Sequence, residues 1–137
     1  MQYDMMNPSR GIHVSTTELE DAATVFKFAA DHTRVEWKLD IYDNNGSKSA
    51  IIGTDRSENS AFSDMQKKLN ISGEKVFDLH SHPYNQQASD NDMEVLKIGK
   101  GAIYHKDSKT LFFIMNRIII LKEKIIEFLK VKIYSNY

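Results

Sequence analysis

The 137-residue sequence contains no cysteine. That absence excludes disulfides, thiolate metal sites and a cysteine nucleophile, and it leaves the redox compartment open. A surplus of one charge is also missing. Eighteen basic side chains meet nineteen acidic ones, for a formal net charge of −1, so no general attraction to nucleic acid or to an anionic membrane is expected. No apolar run is long. The most apolar stretch, "LFFIMNRIIIL", is interrupted by Asn116 and Arg117; it falls well short of the roughly 20 residues that a spanning helix needs and reads as core. The N-terminal "MQYDMMNPSRGIHVS" lacks a basic patch leading into an apolar segment, so no signal peptide is expected. Internal repeats and low-complexity linkers are absent too. The expectation is one domain over 1–137, long enough to bury a single core without cross-links.

Hydrophobic periodicity supplies the elements. Gly11 to Ser15 reads as a short strand. Thr17 with Glu20 forms a capping-box pattern, and Leu19, Ala22, Ala23, Phe26 and Ala30 recur at helical spacing, which predicts a helix over about 17–31. Val35, Trp37, Leu39 and Ile41 alternate with polar residues. That period of two is a half-buried strand with Glu36 on the face opposite Trp37. "DNNGS" is a hairpin turn and "KSAIIG" the returning strand. Residues 54–73 are polar and irregular, with a short helix near "FSDMQKKL". "KVFDLHSH" is a further strand stopped by Pro83, Ser89 opens a helix, and "GAIYH" and "TLFFIM" pair across "KDSK". The "IIILKEKIIEFLKVKIY" tail is read as helical, although Lys-Val-Lys-Ile-Tyr alternates as a strand would. The class is α/β (α+β), a mixed sheet flanked by helices.

The chemistry concentrates in "VFDLHSHPYNQQASDND", Val76 to Asp92. On a strand, His80 and His82 face the same side about 6.5–7 Å apart, so their imidazoles can converge on one metal ion. Alone, an H-x-H pair is as readily two surface histidines at a polar strand end. Ser89 and Asp92 have their own plain reading as a helix N-cap arrangement. The two readings are compatible. A short loop after Pro83 lets the chain turn back, and a first-turn carboxylate can then lie beside the histidines. Two His and one Asp leave a fourth tetrahedral position open, as in a catalytic zinc site.

"HSHP", a short loop and "SDND" together resemble the signature of the JAMM (JAB/MPN) metalloprotease family, in which a distant Glu precedes H-x-H-P and S-x-x-D. The order of elements matches over roughly residues 11–115, with 116–137 as a helical or strand extension. Within that family the chain looks most similar to the JAB-like toxin domains of large secreted bacterial proteins. The resemblance implies Zn2+ held by His80, His82 and Asp92, Glu36 as general base, and Ser89 as oxyanion donor. It also implies cytidine-deaminase-like layering and hydrolysis of a peptide or isopeptide bond, such as a ubiquitin-like linkage. A protein substrate and a cognate immunity protein are the expected partners, with no nucleic acid and no membrane. Localisation is then as part of a larger delivered protein, or otherwise cytoplasmic. Two departures stand out. The span from His82 to Asp92 is one residue shorter than the family's, which leaves Asp90 as an alternative ligand. "EWKL" also replaces the glycine that commonly follows the Glu, which leaves Glu58 and Glu74 as fallback bases. His105 is open between substrate contact and surface residue; His13 and His32 read as incidental. Rival readings are a nucleobase deaminase, disfavoured by the missing cysteines and by His at position 82, a non-catalytic MPN-type scaffold, a housekeeping deubiquitinase-like peptidase, and a metal-dependent hydrolase of another substrate.

Overall fold

The structure, a computed structural model, describes residues 2–4, 12–54, 66–83, 90–98, 100–115 and 118–122. Among the described residues, eight strands and two helices run in the order β1 (Gln2–Asp4), β2 (Ile12–Thr16), α1 (Leu19–His32), β3 (Lys38–Asn44), β4 (Ser47–Thr54), β5 (Glu74–His82), α2 (Asp90–Lys97), β6 (Gly101–His105), β7 (Thr110–Met115) and β8 (Ile118–Lys122). All strands join one mixed sheet of order β1-β2-β4-β3-β5-β6-β7-β8. β5 and β6 are parallel, joined by the crossover helix α2, and every other described pair is antiparallel.

Strand alternation divides the sheet into two unlike faces. Leu39, Ile41, Ala50, Ile52, Phe77, Leu79, Ala102 and Tyr104 are buried in the main core with Leu19, Ala22, Ala23, Phe26 and Ala30 of α1. These helix positions are the ones whose spacing predicts the helix. The other face carries Lys38, Asp40, Asp78, His80 and His82, and α2 packs on it beside β6 and β7. Gly101 permits the close approach. A Cβ there would stand 2.5 Å from Val95 Cγ1 and 3.0 Å from the Asp78 carbonyl oxygen.

Several expectations shift. The N-cap of α1 is Glu18, one residue later than the Thr17 of the expected capping box, and its side chain makes no cap bond. The Thr16 hydroxyl accepts the Glu18 N–H instead. The "DNNGS" hairpin is present, with Asn45 and Gly46 both at positive φ, 53° and 91°, the backbone that a two-residue turn between twisted strands requires. Within the tail expected to be helical, Ile118–Lys122 is a strand paired antiparallel with β7. Three successive β-branched isoleucines fit a sheet edge better than a helix. The β1 strand was not anticipated. The short helix expected near "FSDMQKKL" falls largely outside the described residues, and 66–70 is a turn.

The regular part of β3 begins at Lys38, but the two residues before it are held to the sheet. The Trp37 N–H donates to the Ser81 hydroxyl at 2.9 Å, and the Ser81 N–H donates to the Trp37 carbonyl at 2.8 Å. The Thr54 hydroxyl donates to the Glu36 carbonyl at 2.7 Å, and the Trp37 indole N–H reaches Thr33 Oγ1 at 2.8 Å. This stitching continues the β3–β5 register and places Glu36 beside His82. Across the opposite face, Asp31 ties α1 to the far end of the sheet. It accepts from Lys27 at 2.7 Å, Lys109 at 2.8 Å and the Tyr104 hydroxyl at 2.7 Å. Burial pushes its carboxyl up, but these three donors outweigh burial and hold it below the usual range.

Trp37 is the single tryptophan and therefore reports on the stitching. Ser81→Ala leaves a half-buried N–H without its acceptor, so the Trp37 emission should move to longer wavelength and stability should fall by about 1–3 kcal/mol. An unchanged emission and denaturation midpoint would show that the hydroxyl is not what holds the segment. Asp31→Asn should cost about 1.5–3 kcal/mol at neutral pH through its charge-assisted bonds. Because the folded-state pKa is depressed, that stability is present above the unfolded value and is lost as pH falls through the folded one. The gap between wild type and variant should therefore close below about pH 4, read by thermal melts across pH.

Candidate metal centre

Each member of the site is delivered by a different local rule. His80 and His82 are alternate residues of β5, so both rings project from the face that α2 covers, with centroids 5.1 Å apart. Glu36 stands on the same face because it is two residues before Lys38, the cross-strand partner of His80. Asp92 comes from the first turn of α2, reaching His80 Nε2 at 3.2 Å and His82 Nε2 at 3.7 Å. Asp90 is exposed; two residues apart on a helix, it and Asp92 point in different directions. Glu74 lies at the opposite end of β5 from the histidines. Ser89 and Glu58 lie outside the described residues.

Glu36, His80 and His82 each offer a ligand atom within 4.8 Å of the others, and all three are buried. A carboxylate therefore flanks the histidine pair from two elements, Glu36 before β3 and Asp92 on α2. Two imidazoles with one or two carboxylates, converging out of water, form a donor set suited to zinc or a similar divalent ion. The electrostatics agree. Burial opposes charge on His80, but contact with Asp78 and Asp92 outweighs it and raises the ring to about 9. The two carboxylates beside His80 thus favour positive charge at this point of the sheet face. Glu36 is pushed up to about 7, first by burial, with the His80 charge working against it and Asp92 adding to it.

His105 completes the row. It is the parallel cross-strand partner of His82, its ring meets His82 edge to face at 5.5 Å, and it packs on Phe112. Half-buried at the rim, it is pushed below the usual imidazole range by burial and by the His80 charge. His13, expected to be incidental, is buried against Gly53, where a Cβ would stand 2.4 Å from its ring. His32 is exposed and stacks on Phe28 at 4.1 Å.

Sequence reasoning missed the residues that hold these groups. Asp78 shares the face of His80 by the same alternation that pairs the histidines, so "DLHSH" carried the signal. Ser81 and Thr54 had no signal, since their bonds join segments distant in the chain. Asp78 and its cross-strand neighbour Asp40 lie among Lys38 and Lys75. Burial pushes Asp78 up, but His80 and the two lysines hold it well below the carboxylate range. Asp40 is driven the other way, to about 7, by burial and by the Asp78 charge.

No curated protein and no solved structure matches this chain. A family model does, that of JAB-like toxin 1, over residues 14–106. The matched span runs from β2 to the end of β6 and takes in Glu36, both histidines and Asp92. Covering more than half of the sequence, it shows that the chain belongs to the JAB-like toxin 1 family.

Proposed function

We propose that this domain is a zinc-dependent hydrolase of a peptide or isopeptide bond and that hydrolysis is its toxic activity. The observation that carries the reading is the convergence of Glu36, His80 and His82 within 4.8 Å of one another, with Asp92 in contact with both rings. In this reading His80, His82 and Asp92 hold the metal. When bound, zinc supplies Lewis acidity and a water of lowered pKa. Glu36 is the general base. It accepts a proton from the attacking water and returns it to the departing amine as the C–N bond breaks and the new C–O bond forms. Its burial suits the task, because withdrawal from water makes a carboxylate a stronger base than an exposed one. Ser89, by family resemblance, donates a hydrogen bond to the oxygen on which negative charge develops. The half-buried His105 forms part of the rim that a substrate chain crosses.

The partners follow from that activity. The substrate is a protein, with a ubiquitin-like conjugate as one candidate class, and a cognate immunity protein would neutralise the domain by capping the cleft. The toxin assignment also implies delivery as part of a larger protein.

Purified wild type should carry about one zinc per chain, and His82→Ala should lose it, measured by elemental analysis. Glu36→Gln removes a base and not a ligand. It should keep zinc and fold while hydrolysis falls about 10²–10⁴-fold; full activity in that variant would remove Glu36 from the mechanism. Production of the wild-type chain inside a bacterial or eukaryotic cell should slow growth. His80→Ala or Glu36→Gln, accumulating to the same level, should be harmless. Equal harmlessness of wild type and variants would end the reading of hydrolysis as the toxic activity.

A further inference from the structure

Next to the candidate centre, on the same sheet face, lies a layer of charge that the proposed chemistry does not use. The two nitrogens of His80 have different partners. Nε2 is 3.2 Å from Asp92 Oδ1, on the side where the other candidate ligands converge. Nδ1 points the other way, 3.5 Å from Asp78 Oδ1. Asp78 is not free to swing. Its other oxygen is held by Lys38 at 3.1 Å and by Lys75 at 3.3 Å. Lys38 is the cross-strand partner of His80. Lys75 reaches this face because a register shift opposite Ile41 and Tyr42 skips Val76 and reverses the alternation.

We propose that Asp78 is a positioning residue for the metal centre: its carboxylate keeps the proton of His80 on Nδ1 and fixes the ring so that Nε2 presents its lone pair to the metal. The inference rests on reading the cluster as a metal site. An imidazole ligates through an unprotonated nitrogen, so one of its two tautomers is useless. A carboxylate at the far nitrogen selects the useful one and makes the ring a better donor. The lysines give Asp78 its own constraint. With Oδ2 engaged by two ammonium groups and Oδ1 turned to the ring, it is a support and not a further ligand.

Asp40 provides the internal comparison. It is the cross-strand partner of Asp78, is only 1% exposed, and approaches the same two lysines at 3.8 Å each. It feels the His80 charge across space, but among the described residues the ion pairs of the ring are with Asp78 and Asp92. A purely structural charge cluster predicts the same consequence for both carboxylates, whereas positioning singles out Asp78.

The test uses the full chain and Zn2+ alone, with affinity read by chelator competition and fold by circular dichroism and thermal melts. Asp78→Ala should weaken zinc binding about 10–100-fold. Asp78→Asn, which keeps an acceptor oxygen without the charge and is near-isosteric, should weaken it less and carries the test if the alanine variant fails to fold. Asp40→Asn, whichever way it moves the melting temperature, should leave zinc affinity near wild type. In the zinc-loaded wild type, 15N spectra should show an Nδ1–H on His80 that is protected from exchange, and the Asp78 variants should lose that protection. Undiminished zinc binding by the Asp78 variants overturns the proposal alone, as does zinc loss that tracks melting temperature equally at positions 78 and 40. A wild type that takes up no zinc overturns the metal reading, and this proposal with it.

Discussion

Two hydrogen bonds between Trp37 and Ser81 decide where Glu36 stands relative to the two histidines. Ser81 sits between the two histidines with its side chain on the opposite face, so the residue that separates the imidazoles also grips the segment bearing Glu36. Strand pairing has a strict side-chain period, and a slip of one residue would turn Glu36 into the α1 core and an apolar residue into the pocket. The Thr54 hydroxyl closes the alternative from the other neighbour by binding the Glu36 carbonyl. Three strands therefore fix one carboxylate. Their side chains are almost fully buried, Ser81 at 1% exposed and Thr54 at 2%, where hydrogen bonds have little competition from water.

The two sheet faces divide the labour between stability and chemistry. The α1 face is filled by apolar side chains of ordinary kind, stapled at its far end by Asp31. The face under α2 holds Asp40, Asp78, Lys38, Lys75, two histidines and two further carboxylates in a small area. Cross-strand like charges such as Asp40 and Asp78 are unfavourable on their own. Two lysines offset them, and Asp40, pushed up to about 7, carries only part of its charge near neutrality. Such an arrangement adds little stability over an apolar substitute of the same shape. Its place beside the candidate metal centre fits a role in supporting that centre under the proposed function.

Much of this was legible in the sequence, in the places where one periodicity ruled. The α1 stripe, the Asn45–Gly46 hairpin, β5 with its paired histidines, the helix carrying Asp92 and the β6–β7 pair all follow from spacing and turn chemistry. The cap of α1 was misread because Thr16, one residue early, binds the N–H of Glu18. β8 was misread because a run of isoleucines has no period of its own and only its partner strand decides its form. β1, three residues long, is too short to show any pattern. At the site, face-sharing along "DLHSH" was readable and its meaning for Asp78 was not, since that meaning depends on lysines brought in by pairing and by a bulge. Ser81 illustrates the general limit: a serine in a strand looks the same whatever it binds across the sheet.

The separation along the chain of these components has a kinetic consequence. His80, His82 and Asp92 lie on the consecutive elements β5 and α2, and the contacts that gather them are short in sequence. Glu36 joins them only through pairings that span 44 positions. Local units form early and distant strand pairings late, because loop closure must be completed before the contacts reward it. A partly folded chain can therefore gather the two rings and the α2 carboxylate while still lacking the second carboxylate. Any chemistry that needs both carboxylates would wait on the docking of β3.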